Sequence, residues 1–393
     1  MDVSFLLKPE IQEFINNNLT SDIQKLALKK NPFPDFDWKT IINQIHAKQK
    51  AQHKLPTWFN TKNVLFPSVL SIEQTSSEPL AKFKSSLISG KKLIDLTGGF
   101  GIDCYYFSKH FTKVVHCEFN KELSNIVASN ITAFGIQNIK TSKGDSLETL
   151  QQLNEYFDWI YIDPARRSDS KQKVFLLKDC TPNVPENLTE YFKFTNRILI
   201  KTAPILDISA GIQELEFVKK IYIISLENEV KELLWILEKD FKNQIELEAV
   251  NIDKNGNEIR FSSQIEDDLF CDIDEPMQYL YEPFSSVMKT GNFNKIANYY
   301  KVSKLHQHSH LYTNNELIDF PGRKFEIENV LPYQKKEMKT FFENQKCNIT
   351  IRNFPISVEE IRKKWKIKDG GSKFAFFTTN NKNEKIVIVC NKI

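Results

Sequence analysis

Between residues 92 and 225 short apolar runs recur at 92–96, 113–118, 138–141, 159–163, 198–201 and 220–225, separated by longer amphipathic stretches. One of these stretches, 121–134, carries its apolar residues at helical spacing. Strands that alternate with helices build parallel βαβ units, because parallel neighbours need a crossover long enough to hold a helix. The pattern therefore predicts a doubly wound α/β sheet with helices on both faces. Two later runs, 245–250 and 258–263, flank Asn255-Gly256 and predict an antiparallel hairpin that closes the sheet.

Around this block the texture differs. Ile11, Phe14 and Ile15, then Ile23, Leu26 and Leu28, then Ile41, Ile42 and Ile45 have helical spacing. Pro32 and Pro34 must interrupt any helix between them, and Pro56 and Pro67 mark further breaks. Residues 80–88 read as a helix ended by Gly90. After Asp267-Asp268 the alternation stops: 279–288 and 292–300 read as helices, and 309–313, 324–330, 374–379 and 385–390 as strands. The expected divisions are a helical lobe at 1–75, the α/β domain at 76–268 and an α+β region at 269–393, itself split at 320/321.

With 41% hydrophobic and 26% charged residues the chain is too apolar for disorder. No window approaches eighteen uninterrupted apolar residues, so no membrane span is expected. The first ten residues lack a basic stretch followed by an apolar run, which predicts a soluble, cytoplasmic protein. Six scattered cysteines without C-x-x-C spacing argue against a zinc ribbon or a redox dithiol and for reduced, buried thiols. The net charge of +3 decides nothing, but residues 270–393 hold 20 Lys and Arg against 14 Asp and Glu. That excess is compatible with a polyanionic partner.

Four motifs fall at the carboxyl ends of predicted strands, where a doubly wound sheet binds its ligands. The first is Asp95-Leu96-Thr97-Gly98-Gly99-Phe100-Gly101, whose glycines permit positive φ and let backbone pass close to a ligand, ahead of a helix starting near Ile102. Position 104 is Cys, so the Gly-x-Gly-x-x-Gly spacing of dinucleotide sites is not met. The second is Glu118, placed to accept both hydroxyls of a ribose. The third is Asp145, which can accept from an adenine amine and also cap the helix that follows it. The fourth is Asp163-Pro164-Ala165-Arg166-Arg167: an acceptor-only carboxylate, then two forked donors suited to a phosphate or a base plane. His306, His308 and His310 would share a face on a strand, but no local carboxylate or Cys completes a ligand set, so an exposed polar face and no metal are expected.

Together these motifs resemble those of class I S-adenosylmethionine-dependent methyltransferases. More narrowly, Asp163-Pro-Ala-Arg-Arg with Asp369-Gly370-Gly371 and Phe374-Ala375-Phe376-Phe377 is similar to bacterial methyltransferases with a THUMP-like C-terminal domain preceded by a ferredoxin-like segment. The resemblance implies a Rossmann-like sheet, a ferredoxin-like segment at 269–320 and a THUMP-like domain at 321–393. It implies that Asp95, Thr97, Gly99 and Gly101 line the methionine and ribose of S-adenosylmethionine, that Glu118 holds the ribose and Asp145 the adenine, and that residues 70–78 cover the cofactor. It sets Asp163 and Pro164 as the catalytic pair, in the place of an Asp/Asn-Pro-Pro-aromatic motif, with Arg166 and Arg167 on the substrate. Ala165 and Arg166 depart from that motif, which counts against an exocyclic amine as acceptor and leaves a ring nitrogen open. No cysteine stands in a strand-end motif, so no thiol nucleophile is expected. THUMP-type domains bind structured RNA in the families that carry them, so rRNA or tRNA is the expected substrate. Arg362, Lys363, Lys364, Lys366, Lys368 and Lys373 near Trp365 and Phe374 suit a phosphate-tracking surface or a solvated helix face. A small-molecule methyltransferase and an RNA-binding protein with an inactive methyltransferase fold are the alternatives; Asp95 and Glu118 argue against the second.

Overall fold

The computed structural model describes residues 3–166, 176–265 and 270–393. In chain order the strands of the α/β part are β1 (Gly90–Asp95), β2 (Phe111–Glu118), β3 (Ile139–Lys143), β4 (Trp159–Ile162), β5 (Ala165–Arg166), β6 (Cys180–Thr181), β7 (Arg197–Thr202), β8 (Val218–Leu226), β9 (Glu229–Glu238), β10 (Glu246–Ile252) and β11 (Glu258–Gln264). Neighbouring strands run in the orders β7-β4-β1-β2-β3 and β11-β10-β8, and β5 pairs with β6. The chain divides into two compact units, residues 1–219 with 234–242, and residues 220–233 with 243–393.

In the first unit β1 lies between β2 and β4 and is parallel to both. The chain steps outward from β1 through β2 to β3, then returns to the other side of β1 for β4 and β7. The reversal between β1 and β4 opens a crevice at their carboxyl ends. Residues 159–162 are buried without exception, as a strand covered on both faces requires. The helical lobe follows the predicted breaks. Asp22 and Asp37 cap the helices Ile23–Ala27 and Trp38–Lys54, and Pro56 opens the helix Pro56–Asn60. Leu6, Ile11, Ile15, Leu26, Ile41 and Ile45 form the lobe's core. Buried Glu78 ties the lobe down by accepting from the Thr57 N–H (2.6 Å), the Thr57 hydroxyl (2.7 Å) and the Tyr106 hydroxyl (2.9 Å). Gly90 does not end a helix. The helix Glu78–Ser86 stops earlier, and Gly90 opens β1, where a Cβ would stand 2.9 Å from that of Asp158.

In the second unit β10 runs parallel to β8 and antiparallel to β11, as the Asn-Gly turn led one to expect. The apolar runs read from the sequence did not include β9. Its Leu, Glu and Lys content carries no strand signature, and burial of Leu233, Leu234, Trp235 and Leu237 is what makes it a strand. It follows β8 through Glu227 and Asn228, both with positive φ (50° and 67°), the geometry of a two-residue hairpin turn.

The remaining strands are β12 (Tyr279–Pro283), β13 (Ser303–Lys304), β14 (Tyr312–Asn314), β15 (Gly322–Pro332), β16 (Asn348–Ile351), β17 (Lys373–Thr379) and β18 (Lys385–Lys392), in the order β13-β14-β12-β15-β18-β17-β16. Period-two alternation sorts their side chains. Phe376, Ile386 and Ile388 face one core with Leu280 and Phe325, while Ala375, Phe377, Val387 and Val389 pack with Met338, Ile361 and Trp365 on the other.

Two expectations fail here. Residues 279–288 are not one helix, because Tyr279 to Pro283 is a strand hydrogen-bonded to β14 and β15, and only Ser285–Lys289 is helical. Pairing on both edges outweighs the helical spacing of the side chains. Nor do residues 309–313 form one strand, since β14 begins at Tyr312. His306, His308 and His310 therefore share no strand face. His306 is buried, its ring bonded to Asn353 and Asn383, and His310 has φ +52° and stacks on Phe293.

Candidate active site

The turn after β1 is shaped by its own side chains. Asp95 is buried at 1% exposure; its Oδ1 accepts the Thr97 N–H (2.9 Å) and hydroxyl (3.2 Å), and its Oδ2 accepts the Cys104 thiol (3.2 Å). The Thr97 hydroxyl in turn accepts the backbone N–H of Asp163 (2.7 Å), so one oxygen joins the ends of β1 and β4. Gly99 has φ +52°, donates its N–H to Glu118 Oε2 (2.8 Å) and accepts from the His116 ring through its carbonyl (3.2 Å). The reason for Gly98 differs from the expected approach of a ligand. The buried His116 ring fills the place of its side chain, and a Cβ would lie 2.4 Å from that ring. Gly101, φ +78°, caps the helix Ile102–Phe107, and a Cβ there would press on Val127 at 2.9 Å.

Glu118 also accepts the Asn120 N–H (2.7 Å) at Oε1. Asp145 Oδ1 accepts the N–H groups of Leu147 (2.8 Å) and Glu148 (3.2 Å) as the cap of the helix Ser146–Leu153. These strand ends enclose a cavity of about 480 Å³. Asp95, Thr97, Gly99, Glu118, Asp145 and Asp163 line it, as do Ser71, Gln74, Thr75 and Ser76 from the 70–78 segment; Gly101, Pro164 and Arg166 do not. Arg166 is exposed on β5, which pairs with β6, and Arg167 lies outside the described residues.

Three charged residues were not singled out in the sequence. Asp103 lines the cavity and accepts from the Tyr161 hydroxyl (2.8 Å), Ser76 (3.3 Å) and fully buried Lys84 (3.0 Å). Lys201, on β7 beside β4, meets Asp163 Oδ2 at 2.5 Å. Lys84 stands four residues after buried Leu80 on one helix, spacing that marks an inward position. Lys201 ends an apolar strand run, as Asp163 does. The five carboxylates Asp95, Asp103, Glu118, Asp145 and Asp163 line the cavity, and no Lys, Arg or His does so among the described residues.

Burial, with the nearby Asp103 and Asp163 carboxylates adding to it, pushes Asp95 up to about 7. Burial also raises Asp103, but Lys84 and Lys201, with hydrogen bonds from Lys84 and Tyr161, outweigh it and hold that carboxyl below the ordinary range. Cys117 is pushed up to about 11 by burial, and Cys104 well above the thiol range by burial and Asp95, so neither supplies a thiolate at neutral pH. Among the described residues no group of His, Cys, Asp and Glu could hold a metal ion, and no helix is long and apolar enough to cross a membrane.

Residues 59–182 match the family described as conserved hypothetical protein 95, residues 279–321 a ferredoxin-like domain, and residues 322–392 a THUMP domain-like family. No curated protein matches the chain. Among solved structures, a Porphyromonas gingivalis W83 protein described as a candidate methyltransferase is 28% identical with a TM-score of 0.88, over 100% of this chain and 99% of that one. TrmK of M. capricolum, solved with S-adenosylhomocysteine, is 15% identical with a TM-score of 0.33, over 41% of this chain and 68% of its own. A Streptococcus thermophilus rRNA methylase is 13% identical with a TM-score of 0.30, over 42% and 95%. Likeness at those two levels carries nothing further for this chain.

The sheet order, the strand-end crevice and the full-length match define a class I, S-adenosylmethionine-dependent methyltransferase. Within that class the chain combines a ferredoxin-like match at 279–321 with a THUMP domain-like match at 322–392.

Proposed function

We propose that the acid-lined cavity binds S-adenosylmethionine and that the enzyme methylates a base nitrogen in rRNA or tRNA. The observation that carries the cofactor assignment is a cavity bordered, among the described residues, by five carboxylates and no basic side chain. The cofactor is a cation whose polar groups are mostly donors: an ammonium, a ribose diol and an adenine amine. Each finds a carboxyl group to accept from it here. Asp95 and Thr97 face the methionine end with Gly99 and Gly101 shaping the turn, Glu118 the diol and Asp145 the amine. Glu118 spends one lone pair of each oxygen on backbone N–H groups, which fixes the carboxylate and leaves further acceptor capacity for two hydroxyls.

The bound sulfonium supplies an already activated methyl group, so the protein's work is alignment and exclusion of water. Asp163, tied to the turn through its N–H on the Thr97 hydroxyl, accepts the proton-bearing edge of the acceptor base, with Pro164 fixing the backbone beside it. Arg166, in the place of the motif's aromatic, offers no ring to stack on an extruded base, in keeping with a ring nitrogen over an exocyclic amine. For the substrate, support comes from the THUMP-like region and the basic excess of residues 270–393. Arg166 and Arg167 follow the Asp-Pro pair and suit a phosphate.

The test is a nucleoside map. rRNA and tRNA from a strain lacking the protein are digested separately and compared with wild type. The expected result is one methylated base that disappears and returns on complementation. Complete maps identical to wild type in both pools refute the RNA assignment.

A further inference from the structure

Asp163 does not stand alone. Lys201 projects from the neighbouring parallel strand, one residue past the Ile162–Ile200 pair, and its ammonium meets Asp163 Oδ2 at 2.5 Å. The lysine side chain is 15% exposed and the carboxylate 32%, so the cation lies behind the acid as seen from solvent. Lys201 is not among the residues lining the cavity, whereas Asp163 is. On its other side, Asp163 is fixed through its backbone N–H by Thr97.

We infer that Lys201 is a positioning residue acting through Asp163, and that the pair fits the site to a ring nitrogen that bears a proton, the lactam edge of guanine or uracil. This rests on the proposed RNA base substrate and narrows it. An ammonium on one carboxylate oxygen fixes the plane of the group and directs the other oxygen to the substrate. It also sets a positive charge against that carboxylate, one that acts on Asp103 as well. An amine or an unprotonated ring nitrogen becomes cationic as it takes up the methyl group, and the carboxylate beside it is already matched by a cation. A ring N–H avoids that charge. The N–H bond breaks and its proton passes to the Asp163 carboxylate. That nitrogen's electron pair forms the bond to the methyl carbon, and the carbon–sulfur bond breaks with its pair left on sulfur. Asp163 then releases the proton to solvent.

The experiment uses the full-length enzyme, total RNA from a strain lacking it, and methyl-labelled S-adenosylmethionine. The labelled nucleoside is expected to be guanine or uracil methylated on its ring N–H. Lys201→Met should lower the single-turnover rate by about 100-fold or more, the scale of a misplaced proton acceptor. Lys201→Arg, which keeps the charge, should recover part of that loss. In an Asp163→Asn background, Lys201→Met should cost less than about threefold more, because residues acting as one unit are not additive. S-adenosylhomocysteine affinity by calorimetry should stay within about threefold in every variant, which also reports that each has folded. Label on an exocyclic amine or an unprotonated ring nitrogen overturns the inference. So do Lys201→Met losses that persist undiminished without Asp163, or Lys201→Met kinetics equal to wild type. No label in RNA from the wild-type enzyme, with cofactor binding intact, overturns the RNA reading itself and this inference with it.

Discussion

Replacing Asp95 with asparagine isolates the cost of a buried charge in the turn after β1. Asp95 is 1% exposed, and burial first, then the carboxylates of Asp103 and Asp163, push it from 3.8 up to about 7. Between those two pH values the native protein holds a proton that the unfolded chain has released. Stability must therefore fall as pH rises through this window. A gap of roughly three pH units corresponds to about 4 kcal/mol, at 1.36 kcal/mol per unit. That stability is present below pH 4 and gone above pH 7. An amide side chain cannot titrate, so the difference in unfolding free energy between wild type and Asp95→Asn isolates this one group. The measurement is urea denaturation of both proteins, free of cofactor, at pH 4.5, 6.0 and 7.5. Wild type should lose several kcal/mol relative to the variant from the lowest pH to the highest. A difference that stays constant across the window, or that moves in favour of wild type as pH rises, refutes the reasoning. Ligand binding should show the converse. A cationic cofactor favours the ionised acid, so S-adenosylmethionine affinity should increase from pH 5.5 to pH 8 in wild type and stay flat in Asp95→Asn.

Glu118→Ala should weaken S-adenosylhomocysteine by about tenfold or more in calorimetry, the scale of hydrogen bonds to a charged group. By contrast, Asp163→Ala should abolish methyl transfer with cofactor affinity within a few-fold, and a large affinity loss would remove Asp163 from the substrate side. Lys84→Met leaves Asp103 without its buried cation and should cost about 3–5 kcal/mol in chemical denaturation. Gly98→Ala forces a methyl group into the His116 ring and should cost about 1–3 kcal/mol, read as a lower urea midpoint at unchanged slope.

The strand-to-helix alternation made the α/β sheet legible, because a parallel strand covered on both faces is apolar from end to end and 159–162 reads that way. The carboxylates at strand ends were legible for the same reason: once a run is a strand, Asp95, Glu118 and Asp163 can only sit at its carboxyl edge. What escaped were the partners. Lys201 and Asp163 are thirty-eight residues apart and meet because β7 lies beside β4, an adjacency set by sheet order. Lys84 and Asp103 meet for a similar reason, each ordinary in its own segment. The glycine turn was read in the right place with part of the reason missing, since the ring that excludes a side chain at Gly98 comes from β2. Tyr279 to Pro283 has spacing that suits a helix, and only hydrogen bonding to β14 and β15 decides otherwise.

The Thr97 hydroxyl, which gives its hydrogen to Asp95 and receives one from the Asp163 backbone, has a practical corollary for inhibitor chemistry. On the proposed assignment it stands on the seam between the donor and acceptor compartments, and a short side chain held at both ends rather than a swinging one spans that seam. A two-headed compound that joins an adenosyl group to a nucleobase would then meet a fixed separation, and a short stiff spacer should outperform a long pliable one.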